Sequence, residues 1–197
     1  MSTVDYYFSV LSPFAYLAGT QLETVAARTG VKVNYKPLDI MGLFAETGGT
    51  APKDRHWSRQ QYRLQELARV ADYAKLKINL KPAHWPTDPL PASCAIIAAQ
   101  NLGMDVGPLC HGSLRAVWAE ERDIGDPQTV QALLQASSID AGVVAAAMDG
   151  AEAQYHQNTQ DAIAAGVFGA PTYVVDDQVF WGQDRLDYLE RYLQHRK

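Results

Sequence analysis

The feature that most constrains the fold is the stretch DYYFSVLSPFAY at residues 5–16, where a strand pattern stops and a helical pattern begins. Residues 6–11 form a nearly continuous apolar run, which is typical of a central strand covered on both faces. Ser12 is predicted to be an N-cap, because Pro13 suits the first helical position, where no N–H is needed. Apolar residues then recur at helical spacing as far as Gly30, which is placed to end the helix. The sequence therefore predicts a helix packed on a sheet, with Ser12 at its N-terminus.

Two interpretations of Ser12 remain open at this point. In the first, its hydroxyl only satisfies an orphan amide of the helix. In the second, the strand-to-helix junction directs free amides and the positive end of the helix dipole at one point, which suits an anion or a thiolate.

Composition excludes several classes of protein. A chain of 197 residues, 47% hydrophobic and 20% charged, can bury a sizeable core. The net charge of −5 argues against nucleic acid as a partner, because no basic stripe is present to neutralise phosphates. No apolar run approaches membrane-spanning length and no secretory signal pattern is present, so we expect no membrane partner and a cytoplasmic location.

The cysteines and histidines predict neither a disulfide framework nor a metal site. Cys94 and Cys110 lie in helical patterns far from any CxxC spacing, and we expect buried free thiols in a reducing compartment. The five histidines lack the spacing of metal ligands. They are His56, His84, His111, His156 and His195.

Strand patterns at both ends of the chain enclose a helical middle. The opening unit is strand, helix and strand, with the second strand at 31–38, and its short crossover suits a parallel pair. Near the end, the segments 172–175 and 179–181 flank turn residues and predict a hairpin, followed by a helix over 184–195. We therefore predict an α/β protein with two lobes. Residues 1–40 and 166–197 form the sheet domain, and residues 41–165 form an inserted all-helical domain.

Three sequence blocks carry a family resemblance that covers the whole chain. They are SPF at 12–14, GAPT at 169–172 and FWGQDRL at 180–186. In this order and spacing they resemble the 2-hydroxychromene-2-carboxylate isomerases, which are related to kappa-class glutathione transferases and DsbA-like oxidoreductases. The resemblance implies a thioredoxin-like fold with an inserted helical domain, a cis Ala170–Pro171 peptide bond and a homodimer.

The resemblance also implies a glutathione site between the two lobes. The sulfur would lie near Ser12, the catalytic residue, which would donate a hydrogen bond to the thiolate. The backbone of Ala170, before Pro171, would pair with the tripeptide, while Gln183 and Asp184 would hold its γ-glutamyl end. A carboxylate attracts the γ-glutamyl ammonium, but Asp184 could also be a plain N-cap of the last helix. The remaining cofactor-binding residues taken from the matched blocks are Phe14, Trp181 and Gly182.

The chain departs from its relatives at several positions. Thr50 and Arg59 stand where kappa-type proteins have an asparagine and, nine residues on, a lysine that contact glutathione. The loop 82–89 lacks the arginines that the isomerases carry there, so a carboxylate substrate would need another cation. Tyr62 and Trp85 are candidates to contact an aromatic substrate, although each taken singly is more typical of a core residue.

Three functional hypotheses follow from the resemblance. The first is a glutathione-dependent cis–trans isomerase for 2-hydroxychromene-2-carboxylate-like aromatic keto or hydroxy acids in aromatic-compound degradation. The second is a kappa-type glutathione transferase that keeps the conjugate, and the third is a non-redox DsbA-like binding module. Disulfide exchange by the protein is excluded, because Ser12 and Ala15 occupy both positions where a CxxC motif needs sulfur.

Overall fold

A computed structural model describes residues 2–196 and contains one four-stranded mixed sheet. Its strands are β1 (Thr3–Phe8), β2 (Lys32–Pro37), β3 (Thr172–Val175) and β4 (Gln178–Trp181). The order in the sheet is β2-β1-β3-β4, with β1 and β2 parallel and the other two pairs antiparallel. This confirms the central position of β1, the edge position of β2, their parallel pairing and the hairpin near the end of the chain.

Helices occupy most of the remaining chain. Within residues 2–196, one 3₁₀ turn spans Pro52–Asp54. The α-helices of residues 2–196 are α1 (Pro13–Leu17), α2 (Gln21–Thr29), α3 (Ile40–Thr47), α4 (Trp57–Ala74), α5 (Leu90–Asn101), α6 (Gly107–Trp118), α7 (Pro127–Ala136), α8 (Ala141–Ala146), α9 (Ala151–Ala164) and α10 (Leu186–His195). Sequence patterns predicted most of them, but α3 was missed.

Strand β1 is covered on both faces, as its apolar run predicted. Tyr6 and Phe8 point into the main core, where the Tyr6 ring stacks on Phe8 at 4.7 Å and on Tyr173 at 5.2 Å between centroids. Tyr7 points to the opposite face and belongs to a separate cluster with Leu43 of α3 and Ala162 of α9. Alternation of side chains along a strand therefore divides the core between the two faces of the sheet.

The first predicted helix is two helices, because the chain turns at Gly19. Its φ of +58° lies in the left-handed region, which glycine adopts at little cost, and α2 starts two residues later. Gly30, with φ of +70°, ends α2 as predicted. The apolar periodicity runs through the turn, so it could not reveal the break. The helix dipole at Ser12 is therefore that of a short helix, α1.

The inserted segment contributes a large apolar core. The Trp118 indole is fully buried, and both free cysteines, Cys94 of α5 and Cys110 of α6, are buried as predicted. No helix in residues 2–196 combines the length and the apolar character that a bilayer crossing requires. The sheet, α1, α2 and α10 come from the terminal segments, while the division at residues 40 and 165 stays a prediction.

Candidate active site

The site begins where the ends of β1 and β3 meet. These strands are antiparallel, with Tyr7 paired to Thr172, so the chain leaving β1 passes the chain entering β3. Ser12 caps α1 through a bond of 3.2 Å from the Ala15 amide to its Oγ. The same hydroxyl donates to the Ala170 carbonyl, also at 3.2 Å. Residues far apart in sequence thus meet at one hydroxyl group.

The segment before β3 presents a backbone edge. The Ala170–Pro171 peptide bond is cis, which confirms the prediction. The Pro171 carbonyl accepts a hydrogen bond of 2.9 Å from the Gly182 amide, which joins this segment to the end of β4. The Ala170 amide makes no hydrogen bond to residues 2–196, and Ala170 lines a cleft. An extended ligand in that cleft could pair with this free N–H.

Trp181 packs tightly over the segment before β3. A Cβ atom added to Gly169 would lie 2.6 Å from Trp181 Nε1, so only glycine fits there without displacing the indole. The Trp181 ring also meets Phe168 edge-to-face at 4.8 Å, yet it remains 51% exposed at the cleft. The GAPT and FWGQDRL blocks therefore pack on each other.

The cleft has a volume of about 730 Å³ and collects most of the predicted site residues. The expected glutathione contacts among its lining residues are Phe14, Arg59, Ala170, Pro171, Trp181, Gly182, Gln183 and Asp184. The expected substrate contact Tyr62 also lines it. Ser12 lies beside the cleft through its bond to Ala170.

Besides Ser12, two predicted residues lie outside the lining. Thr50 is in an exposed loop, where its backbone carbonyl accepts a bond of 2.8 Å from Arg55 Nε. Trp85 is half-buried and donates from Nε1 to the Leu11 carbonyl at 3.1 Å, so it supports the segment before Ser12. The structure also contains a second cis bond, Trp85–Pro86, which the sequence did not predict. The roles of Thr50 and Trp85 in binding remain predictions.

Asp184 does not cap the last helix, so the N-cap alternative is wrong. Helix α10 begins at Leu186, and its N-terminus has no side-chain cap from the described residues 2–196. The Asp184 carboxylate instead contacts Nη1 of the adjacent Arg185 at 2.7 Å and lines the cleft. A hydrogen bond from the Arg185 amide to the Gly182 carbonyl closes a backbone turn, and Asp184 lies in this turn just before the helix.

A row of arginines lies on one wall of the cleft, and only its member Arg59 was predicted from the sequence. Arg55, Arg59 and Arg63 recur every fourth residue, just before and along the first turns of α4, and all three line the cleft. The spacing was visible in the sequence, because residues four apart share a helix face. Other lining residues that were missed are Ser58, Glu66 and Arg185.

The arginine wall concentrates positive charge in an acidic protein. Burial and the charge of Arg59 lower the pKa of Arg55, and burial and the charge of Arg55 lower the pKa of Arg63. Within residues 2–196, none of these three guanidinium groups has a carboxylate within 4.0 Å. The wall is therefore suited to bind anions.

The cysteines of the chain cannot supply a reactive thiolate. Burial raises the pKa of Cys94 to about 11 and that of Cys110 well above its ordinary value. In the described part of the chain, no group of three His, Cys, Asp or Glu side chains could hold a metal ion. Any thiol chemistry in the cleft would need a thiol from a bound molecule.

The fold and the site define a thioredoxin-like protein whose redox cysteines are replaced, and comparison with known proteins agrees. The model of the DSBA-like thioredoxin domain matches residues 3–194. A 2-hydroxychromene-2-carboxylate isomerase of Sphingobium xenophagum is 32% identical over 196 residues, which is 97% of each chain. One from Pseudomonas putida is 27% identical and aligns with 95% of this chain and 92% of its own.

Solved structures show the same likeness. The structure of a 2-hydroxychromene-2-carboxylate isomerase superposes with a TM-score of 0.76 and 26% identity, covering 98% of this chain and 94% of that one. The cytosolic disulfide reductase DsbM of Pseudomonas aeruginosa, determined with GSH, has a TM-score of 0.65 and 18% identity, with 98% and 93% covered. The chain therefore belongs to the DSBA-like thioredoxin family, and its curated relatives identify it as an enzyme of the isomerase class.

Proposed function

We propose that this protein is a glutathione-dependent cis–trans isomerase of 2-hydroxychromene-2-carboxylate-like aromatic acids. The observation that carries the proposal is the Ser12 hydroxyl, placed beside a cationic cleft and the free Ala170 amide in a chain whose own thiols are buried. The name of the Sphingobium relative supports the reaction and the substrate class.

The residues present fit glutathione. The cleft offers a free backbone N–H at Ala170 for an extended peptide and the Arg59 guanidinium for a carboxylate. Gln183 and Asp184 lie along the same cleft and suit the γ-glutamyl end. The structure of DsbM with GSH, which has the same fold, supports this proposal.

When bound, glutathione would supply a thiolate that adds reversibly to a conjugated double bond, so that rotation occurs before elimination returns it unchanged. Ser12 would donate a hydrogen bond to the sulfur and hold it ionised. No base lies on Ser12 Oγ, whose partners in residues 2–196 are the Ala15 amide and the Ala170 carbonyl. A covalent serine mechanism needs such a base, so we assign Ser12 to thiolate stabilisation.

A thiol balance tests the proposal. Purified protein is incubated with 2-hydroxychromene-2-carboxylate and glutathione, and the ultraviolet spectrum of the acid and the free thiol concentration are followed together. We expect isomerisation that requires glutathione and leaves its concentration unchanged. Stoichiometric loss of thiol would indicate a conjugating transferase, while protein that neither binds glutathione nor accelerates the reaction would support a binding module.

Two further expectations belong to this proposal. Reduced glutathione and free buried thiols both suit a reducing compartment, so we infer a cytoplasmic location. The family resemblance favours a homodimer, which light scattering at micromolar concentration would test. A monomer under those conditions would contradict that part of the proposal.

A further inference from the structure

We propose that Arg63 binds the carboxylate of the aromatic substrate, in place of the loop arginines that this chain lacks. The inference rests on the proposed function, because it names the substrate group that Arg63 holds while glutathione occupies the rest of the cleft. Arg63 lies in the part of the cleft next to the segment that carries Ser12.

Arg63 differs from the other cleft arginines because it is half-buried without a polar partner in residues 2–196, whereas Arg59, which also has none, is exposed. Arg185 contacts the Asp184 carboxylate at 2.7 Å, and Arg55 donates to the Thr50 carbonyl at 2.8 Å. The Arg63 guanidinium makes neither a hydrogen bond nor an ion pair with residues 2–196, although it is half-buried. A desolvated cation without an acceptor gains more from an incoming anion than a solvated one does.

Aromatic rings hold this guanidinium in place. Its Cζ lies 5.4 Å from the centroid of the Trp85 ring and 5.9 Å from that of Trp118. The two indoles contact each other at 5.6 Å between centroids. Ring faces pack against the flat face of a guanidinium and leave its N–H edge free. That edge is the one that binds a carboxylate bidentately.

The same rings place Arg63 close to the reacting end of the cleft. Trp85 Nε1 donates to the carbonyl of Leu11 at 3.1 Å, and Leu11 directly precedes Ser12. Arg63 therefore contacts a ring that is hydrogen-bonded to the Ser12 segment. Burial and the charge of Arg55 lower the pKa of Arg63, and a bound anion would oppose both effects because it stabilises the charged guanidinium.

A count of charges agrees with this assignment. Glutathione bound as a thiolate carries two uncompensated negative charges, on the sulfur and on the glycine carboxylate, because its γ-glutamyl end is zwitterionic. Within residues 2–196, three arginines of the cleft wall have no carboxylate partner, namely Arg55, Arg59 and Arg63. Hence one positive charge remains for an anionic substrate.

The test measures binding without depending on turnover. S-methylglutathione fills the tripeptide site without a reactive thiol, and cinnamate and its neutral analogue cinnamamide are titrated by tryptophan fluorescence. We expect wild type to prefer cinnamate by about 10-fold or more, since a charge-assisted bidentate pair separates the two probes. Arg63→Gln should abolish the preference, and Arg63→Lys should retain part of it because the charge stays but the planar fork is lost.

Arg28→Gln is the matched control, because Arg28 pairs with Glu190 at 3.5 Å and neither residue lines the cleft. It should keep the full preference. Thermal unfolding of each variant shows that the change in binding is not a loss of fold. A preference for cinnamate that survives in Arg63→Gln, that disappears only in Arg59→Gln, or that is absent from wild type would overturn the assignment. Wild type with the preference but without isomerisation would uphold Arg63 and overturn the proposed reaction.

Discussion

Substitutions of Ser12 should separate its role as a helix cap from its role as a hydrogen-bond donor. The hydroxyl accepts from the Ala15 amide and donates to the Ala170 carbonyl, each at 3.2 Å. Ser12→Ala removes the helix cap, which costs about 1 kcal/mol of stability, whereas Ser12→Gly costs only a few tenths, because glycine is tolerated at an N-cap. Both substitutions remove the donor to a bound thiolate equally. The two variants should therefore differ in stability but not in the pKa of the bound thiol.

The magnitude follows from an exchange of hydrogen bonds. A bond from Ser12 to a thiolate is worth about 1.5–3 kcal/mol, but the hydroxyl must first give up its neutral bond to Ala170, worth about 0.5–1.5 kcal/mol. The difference is about 1 kcal/mol, which corresponds to slightly under one pKa unit at about 1.4 kcal/mol per unit. The first turn of α1 adds about 0.3–1 kcal/mol, and this contribution survives in both variants.

The assay is a pH titration of the ultraviolet absorbance of the thiolate in the glutathione complex. We expect the bound thiol to titrate about one unit higher in Ser12→Ala and in Ser12→Gly than in wild type. Ser12→Thr, which keeps the hydroxyl, should titrate close to wild type. Urea unfolding of the same proteins should place Ser12→Gly nearer to wild type than Ser12→Ala. If all four proteins titrate at one pH, Ser12 is only a helix cap and the proposed mechanism is wrong.

Two further predictions concern stability. Burial opposes ionisation of Glu23, but hydrogen bonds from His111 and Tyr35 outweigh the effect of burial and lower the pKa of Glu23. The stability that ionised Glu23 contributes is therefore present above the pKa of Glu23 in the unfolded chain, and it is lost as pH falls through the lower pKa of the folded protein. Tyr35→Phe, which removes a bond of 2.6 Å, should lower the free energy of unfolding by about 1.5–3 kcal/mol at about pH 7 and by less at about pH 3; an equal loss at both would contradict the charge-assisted bond. Gly169→Ala should shift the Trp181 fluorescence and destabilise the protein by about 1–3 kcal/mol, because its Cβ would lie 2.6 Å from the indole; an unchanged spectrum and unfolding curve would show that the ring moves freely.

Local patterns predicted the elements of this fold where one physical rule dominates. The apolar run of β1, the cap formed by Ser12 and Pro13, and the end of α2 at Gly30 all appear as expected. The break at Gly19 was missed because apolar spacing continues across it, and a glycine inside a helical pattern is ambiguous until its φ is known. Helix α3 was missed because Ile40–Thr47 is too short for a periodicity to be distinguished from a loop.

The site residues also fall into two groups, those that sequence blocks indicate and those that depend on how the helices pack. The residues of the SPF, GAPT and FWGQDRL blocks could be assigned together from the family resemblance, and in the structure the antiparallel pairing of β1 with β3 brings the first two blocks together. The wall made by Arg55, Arg59 and Arg63 could not, since their spacing alone is equally typical of a solvated helix face. What distinguishes that face is where α4 packs.

Packing of α4 joins the arginine wall to Ser12 through Trp85. Its ring lies between the Arg63 guanidinium and the Leu11 carbonyl, and both partners are distant from it in sequence. The Pro-rich loop that lacks arginine therefore still contributes to the site, because it provides a surface that holds an arginine from another element. A cation lost from a loop can be replaced from a neighbouring helix when both elements face one cleft, so a missing family residue does not by itself indicate a missing function.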